Sequence, residues 1–297
     1  MPDSSLVSLG LDYASVDGNQ PPDFAAARKA GARFMIPRAV YGRRVKGQTD
    51  PAPVFVDPVW ARDKEAIRAA GLRRGAYLFV CYERTGVTTP PPEVQAQWYI
   101  DHVQLVRGED FVPMFDVEEA SDVLTANQMY DWTMRVCATL RKHYGAWPAM
   151  YTSARVWTEN LKDHDASDLV ECPLWITKPW PLEVRRPVDR TGALDCTPRT
   201  IAKFGDATNY WFYQYQGDGL GWPGFTSTTD VNRFHIVTRG ANGTIVRWIQ
   251  RRVGAGVDGD FGPNTEAAVK KFQRAHGLDD DGIIGPATFA ALSWVAP

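Results

Sequence analysis

The chain has 297 residues, long enough for one large core with a small module or for two ordinary domains. With 44% hydrophobic, 12% aromatic and 23% charged residues it has the composition of a soluble globular protein, and a net charge of −2 gives no electrostatic case for nucleic acid or an anionic membrane. No stretch reaches the roughly 18 apolar residues of a membrane span, and the N-terminus, MPDSSLVSLGLDYAS, has neither the basic nor the apolar region of a signal peptide, so synthesis in the cytoplasm is expected.

In chain order, strand-like and helix-like segments alternate. VSLGLDYA (7–14) reads as a strand, FAAARKAGA (24–32) as a helix, FMIPRAV (34–40) as a strand and VWARDKEAIRAAGL (59–72) as a helix. RGAYLFVCY (74–82) then leads through the Pro-rich turn TTPPP into the helix VQAQWYIDHVQLV (94–106). FVPMFDVE (111–118), the helix 125–145, PAMYTS (148–153), PLWITK (173–178) and YWFYQYQ (210–216) complete the series. Strands joined by helical crossovers predict a parallel sheet covered by helices, and seven of them in about 230 residues favour a TIM-like (β/α) barrel. The connection 179–209 shows little periodicity, so the last third of the barrel is expected to be irregular. No GxGxxG or GxxxxGK[ST] follows a strand, which removes the usual nucleotide sites.

The texture changes after about Arg239. A short hinge, GANG (240–243), opens a tail with an internal repeat 23 residues apart, DGDFGPNT (258–265) and DGIIGPAT (281–288). In each copy Asp-Gly suits a tight turn and Gly-Pro suits entry into a helix. The tail is therefore predicted to be an all-α three-helix module, dividing the chain into 1–239 and 240–297, with few contacts crossing the hinge.

Within the barrel, the run FVPMFDVEEA (111–120) ends a buried strand in acids. Side chains two apart on a strand point the same way, so Asp116 and Glu118 share a face at the C-terminal strand end, where barrel active sites lie, while Glu119 points elsewhere. Asp12 ends the first strand, and Asp230 follows the last one in TSTTDVNRF. Carboxylates converging on one mouth suit glycoside hydrolysis, in which one acid protonates the leaving oxygen and a second carboxylate stabilises the cationic transition state. Repulsion and partial burial would raise one pKa, as a general acid requires. The five histidines show no metal-ligand spacing, the four cysteines form no CxxC, and Ser15 and Ser153 have no partnered His, so neither metal chemistry nor a nucleophilic triad is indicated and no cofactor is expected.

GLDYAS (10–15), AGLRRGAYLF (70–79), PMFDVEEA (113–120), MYTSARVW (150–157), LWITKPW (174–180) and YQYQ with TTDVNRF (213–234) resemble, in order and spacing, glycoside hydrolase family 25, whose members are N-acetylmuramidases. The tail resembles the peptidoglycan-binding domain that bacterial wall hydrolases carry. The resemblance implies that Glu118 is the proton donor and that Asp116 is its companion carboxylate, acting as nucleophile or by steering the substrate N-acetyl group. It further implies that Asp12 and Asp230 position this pair, and that Tyr77, Tyr151 and Trp175 line the sugar groove. The sequence departs from the family pattern at Leu78, where a His often follows the Tyr, at Thr177-Lys178-Pro179, and in the loop VDGNQPP (16–22). Those changes fall on subsites more than on the acids, and leave the preferred wall chemotype open.

The expected partner is bacterial peptidoglycan, handled by a monomer, with no nucleic acid and no membrane. A muramidase with a wall-binding tail and no signal peptide looks like a phage endolysin, held in the host cytoplasm until released to the wall; non-classical secretion is the alternative. A wall-binding pseudoenzyme and a chitinase-like glycosidase remain as rivals.

Overall fold

The computed structural model describes residues 8–18, 20–162, 164–165, 169–177 and 209–296. The expected irregular connection 179–209 and Cys196 lie outside these, apart from Asn209. The strands are β1 (Ser8–Tyr13), β2 (Ala32–Tyr41), β3 (Phe55–Val56), β4 (Arg73–Arg74), β5 (Tyr77–Phe79), β6 (Met114–Asp116), β7 (Ala149–Ser153), β8 (Leu174–Thr177), β9 (Phe212–Leu220) and β10 (Thr228–Phe234). Pairing runs β1, β2, β5, β6, β7, β8, β9, β10 and back to β1, which closes an eight-strand barrel. Every pairing in the ring is parallel except those of β10, which is antiparallel to both β9 and β1.

This adds one strand to the seven read from the sequence. Asp230, expected in a loop after the last strand, lies inside β10, because a polar Thr-Thr-Asp start and Asn232 break the apolar pattern that the buried Val231 and Phe234 would otherwise show. β6 is shorter than 111–118, since Pro113 has no N–H for the ladder. The chain nevertheless stays extended past it: Val80 N–H donates to Asp116 O at 3.0 Å and Val117 N–H to Tyr151 O at 2.9 Å.

The barrel helices are α1 (Phe24–Lys29), α2 (Pro58–Ala69), α3 (Pro92–His102), α4 (Ala126–Tyr144) and α5 (Ala154–Glu159). Their starts are written locally. Asp23, Asp57, Thr125 and Ser153 each accept a backbone N–H of the first turn, and proline opens α2 and α3. The best amphipathic example, α4, buries Met129, Tyr130, Trp132, Val136, Cys137 and Leu140 against the barrel and ends at Gly145 in a left-handed conformation. Cys81, Cys137 and Cys172 are buried free thiols. Among the described residues no helix is long and apolar enough to cross a membrane.

The tail folds as expected into three helices, α6 (Thr244–Val253), α7 (Pro263–Ala275) and α8 (Pro286–Leu292). The repeat has a physical basis that the turn residues alone did not reveal. Gln250 Nε2 donates to Asp258 Oδ1, Asp260 O and Thr265 Oγ1 at 2.6, 3.1 and 3.0 Å, and its Oε1 accepts from Gly259 N at 2.9 Å. Twenty-three residues on, Gln273 binds Asp281 Oδ1, Ile283 O, Thr288 Oγ1 and Gly282 N in the same way, at 2.8, 3.0, 3.1 and 2.8 Å. A buried glutamine thus ties each helix to the turn that follows it.

GANG is not the free hinge expected from its composition. Gly240 N–H donates to Phe261 O, Phe261 N–H to Ala241 O and Gly243 N–H to Gly259 O, so the segment is paired into the module. Nor are the crossing contacts few. Phe289 of α8 is fully buried among Phe111, Trp211, Phe212 and Phe234 of the barrel, with ring centroids 4.5 to 5.8 Å away. A composition-based linker assignment cannot see such a docked face, because the residues that make it are scattered through both segments.

Candidate active site

The C-terminal ends of the parallel strands form the barrel mouth, and the four sequence-predicted acids meet there. Asp116 is the last residue of β6 and is 5% exposed; Asp12, near the end of β1, is 4% exposed. Asp230 on β10 is the direct cross-strand partner of Asp12. Glu118 lies two residues past Asp116 and opens to solvent in the mouth.

The opening acids of VEEA separate cleanly in role. Glu119 is turned away from the mouth, where it accepts from the buried Arg43 guanidinium and, at 3.2 Å, from Tyr82 N–H. Its charge is thereby matched. Asp116 has no such partner: its Oδ1 is buried without a hydrogen bond, and burial, then the charges of Glu118 and Asp12, push its carboxyl well above the usual range, against the pull of Arg38. Withdrawal from water also raises Glu118, opposed by the charge of Arg155 and aided by that of Glu119.

Asp12 is raised to about 7, chiefly by burial, although Asn232 and Gln214 oppose the shift by hydrogen bonding to it. Asp230 is raised well above its ordinary value by burial and by the charge of Asp12. With Asp12 raised to about 7, the group is not fully ionised at neutral pH.

Three supporting residues escaped the reading of the sequence. Gln214 on β9 donates Nε2 to Asp230 Oδ2 at 3.0 Å and to Asp12 Oδ2 at 3.2 Å, while its Oε1 accepts from Tyr151 Oη at 2.8 Å and Thr177 Oγ1 at 2.9 Å. Asn232 on β10 donates to Asp12 Oδ2 at 2.5 Å and accepts from Trp175 Nε1 at 2.7 Å. Arg38 on β2 is a buried cation paired with Asp57 through Nε at 3.0 Å. Gln214 and Asn232 lie within motifs already singled out, YQYQ and TTDVNRF, but an uncharged amide carries no signal until its neighbours are known.

Tyr77, Tyr151 and Trp175 come together, with Trp175 centred 6.1 Å from Tyr77 and 4.8 Å from Tyr151. Their exposure differs from that of an open groove. Trp175 is 1% exposed, so its ring faces are covered and it works from beneath the mouth, whereas Tyr77 and Tyr151 keep 8% and 7% exposure.

The chain matches the family model described as glycosyl hydrolases family 25 over residues 11–220, and that of a putative peptidoglycan binding domain over 242–292. Among solved structures it is similar to the bacterial lysozyme from Streptomyces coelicolor, with 18% identity over 77% of this chain and 92% of that one and a TM-score of 0.58. A family GH25 lysozyme from Aspergillus fumigatus gives 20% identity, 77% and 94% coverage and a TM-score of 0.57. The CTP1L endolysin gives 18% identity, 77% and 66% coverage and a TM-score of 0.52. A curated relative, the uncharacterized protein YegX of Escherichia coli O157:H7, is 31% identical over 122 residues, a match that spans 41% of this chain and 40% of that protein. The residues matched hold three of the four acids and the barrel strands that carry them, and on that ground the chain belongs to family 25 of the glycosyl hydrolases.

Proposed function

We propose that the chain is an N-acetylmuramidase, a lysozyme that hydrolyses the β-1,4 bond between N-acetylmuramic acid and N-acetylglucosamine in bacterial peptidoglycan. The observation that carries this reading is the pairing of Asp116, buried with one oxygen unpartnered, with Glu118, raised and open to the mouth. Glu118 protonates the glycosidic oxygen as the bond breaks. Asp116 faces the opposite demand, offering an acceptor and a negative charge to the oxocarbenium-like carbon or to the N–H of the neighbouring acetamido group. The orphan oxygen of Asp116 suits either partner, and an N-acetylated sugar supplies both.

Asp12 and Asp230, joined through Gln214, flank this pair, and Tyr77 and Tyr151 border the sugar site. Residues 1–239 act as the catalytic part and 240–297 as a wall-binding part, in a monomer. The wall-directed tail and the likeness to an endolysin support a lytic role in which a phage enzyme reaches the wall from the host cytoplasm.

Digestion of purified peptidoglycan, followed by reduction and identification of the new ends, tests the reading. Reduced muramic acid is the expected product. Reduced glucosamine ends would assign a different glycosidase, released peptides a different bond class, and no release at all the wall-binding pseudoenzyme.

A further inference from the structure

We propose that the C-terminal module is the floor of the catalytic barrel, holding the rings beneath the acids in place, so that it supports turnover on every substrate in addition to binding the wall. The N-terminal ends of β2, β9 and the segment before β6, with the far end of the antiparallel β10, bring Phe34, Phe212, Phe111 and Phe234 together at the bottom of the barrel. Phe34 lies across Gly10 of β1, where a Cβ would come within 2.2 Å of the ring, so a side chain at that position would displace it. The aromatic layer is sealed by the module. Phe289 packs at a tilt against Trp211 at 4.5 Å and meets Phe212 at 5.5 Å, and Trp248 closes on Trp211 at 5.0 Å.

Polar contacts ring this centre. Trp294 Nε1 donates to Asp110 O at 2.8 Å, Arg107 donates to Trp294 O, and Val237 pairs with Ile284 across the boundary. Glu171 of the barrel accepts from Arg251 at 2.5 Å and Arg252 at 3.0 Å, and the buried Arg252 stacks on Trp248 at 3.7 Å. An aromatic centre with a paired polar rim is the anatomy of a permanent interface, and a tethered domain on a flexible linker has no use for it.

The same layer continues upward to the acids. Phe212 meets Trp175 at 6.2 Å, Trp175 packs on Tyr151 and Tyr77, and its Nε1 donates to Asn232, which holds Asp12. Phe289 is therefore three side-chain contacts from a group that binds Asp12. A void at Phe289 lets Phe212 and Trp175 settle downward, and Asn232 and Tyr151 follow. Close-packed interiors transmit such shifts, and small misplacements of a catalytic geometry reduce rate steeply.

The test uses the full chain with Phe289→Ala, the milder apolar Phe289→Leu, and Lys271→Ala on the exposed side of α7 as a control. The wild type should melt in one calorimetric transition. Phe289→Ala should lower that single transition by roughly 5–10 °C and cut kcat on short soluble glycan fragments about tenfold with little change in KM, while Phe289→Leu recovers most of both. Failure of Phe289→Ala to fold at all supports the shared core, because a separate barrel would survive a lesion in the module. Two transitions, with only the smaller one shifted, would overturn the proposal, and so would unchanged turnover of soluble fragments. The turnover arm rests on the muramidase reading and the melting arm does not: one shared transition without any glycan cleavage would sink that reading while supporting the common core.

Discussion

Asp12 and Asp230 face each other directly across the antiparallel pairing of β1 and β10. Like charges at such positions repel, and both groups are pushed up by burial as well. The amide of Gln214 lies between them and donates to both, at 3.2 and 3.0 Å, so the two carboxyl groups share a nitrogen donor. Gln214→Leu should leave the barrel folded and lower kcat about 10- to 100-fold, the loss of one or two hydrogen bonds to charged groups at about 1.5–3 kcal/mol. A pH–rate profile separates this from simple unfolding. With the shared donor gone, the limb set by these acids should move to higher pH, and an unmoved profile in a folded variant would remove Gln214 from the positioning of the pair.

The acids also make stability depend on pH with a definite sign. Folded Asp12 titrates near 7 against about 3.8 for an ordinary aspartate. A raised carboxyl stabilises the fold fully below the unfolded value, and that contribution is lost as pH rises through the folded one. Asp116 and Asp230 are raised in the same direction. Melting temperature should therefore fall between about pH 4 and pH 8. Asp12→Asn, uncharged throughout, should match the wild type near pH 4 and exceed it at pH 8 by roughly 2–4 kcal/mol, each tenfold change in proton affinity being worth about 1.4 kcal/mol. Equal stability of the two at pH 8 would contradict the burial cost assigned to Asp12.

How much of this was legible follows from the kind of signal each residue carries. Asp116 and Glu118 stood out because a charge ending an apolar run violates the expectation for a buried strand. Asp12 was visible for the same reason. Gln214, Asn232 and the module's Gln250 and Gln273 violate nothing, since amides are tolerated on strands and helices alike, and their roles depend on partners 8 to more than 200 positions away. Strand β10 escaped because the mouth it lines is polar, so its alternation is broken where function needs it. The docked face of the tail escaped because Phe289, Trp248 and Trp294 read equally well as the module's own core.

The proposed proton donor can be tested without disturbing the fold. Glu118 is exposed and its carboxyl is raised in the fold, so Glu118→Gln should fold, melting as the wild type does near pH 4 and no lower than it at higher pH. Its turnover should fall roughly 10²–10⁴-fold, the usual contribution of general acid catalysis. Asp116→Asn should be about as severe for catalysis and, because its buried carboxyl is raised in the fold, should also gain stability over the wild type as pH rises above the ordinary aspartate value of 3.8. Near wild-type release of reducing ends by the Glu118 variant would eliminate that residue as the donor.

Glu119 should behave oppositely to its neighbour. It balances Arg43, which is only 6% exposed, and it also accepts the Tyr82 amide. Glu119→Ala strands a buried cation and should destabilise by about 3 kcal/mol, since removing one partner of a buried pair is far worse than removing both. Adding Arg43→Met to the same chain should return at least half of the loss in a chemical denaturation series. A double variant no more stable than the single one would mean that Glu119 supports the mouth by another route.

The two copies of the tail repeat predict equivalent lesions. Gln250 and Gln273 each hold an Asp-Gly turn, a carbonyl and a threonine hydroxyl with one amide, at positions 23 apart. Leucine at either site keeps the volume but leaves buried polar partners unmatched, at about 1–3 kcal/mol for such a group. The lesions should be local as well as similar in size. Gln273→Leu should accelerate hydrogen exchange at the Gly282 amide, which loses its acceptor, and leave Gly259 protected by Gln250. The reverse pattern is expected for Gln250→Leu. Exchange that quickens at both glycines in either variant would show that the turns are secured by the module as a whole, with the glutamines contributing no local hold.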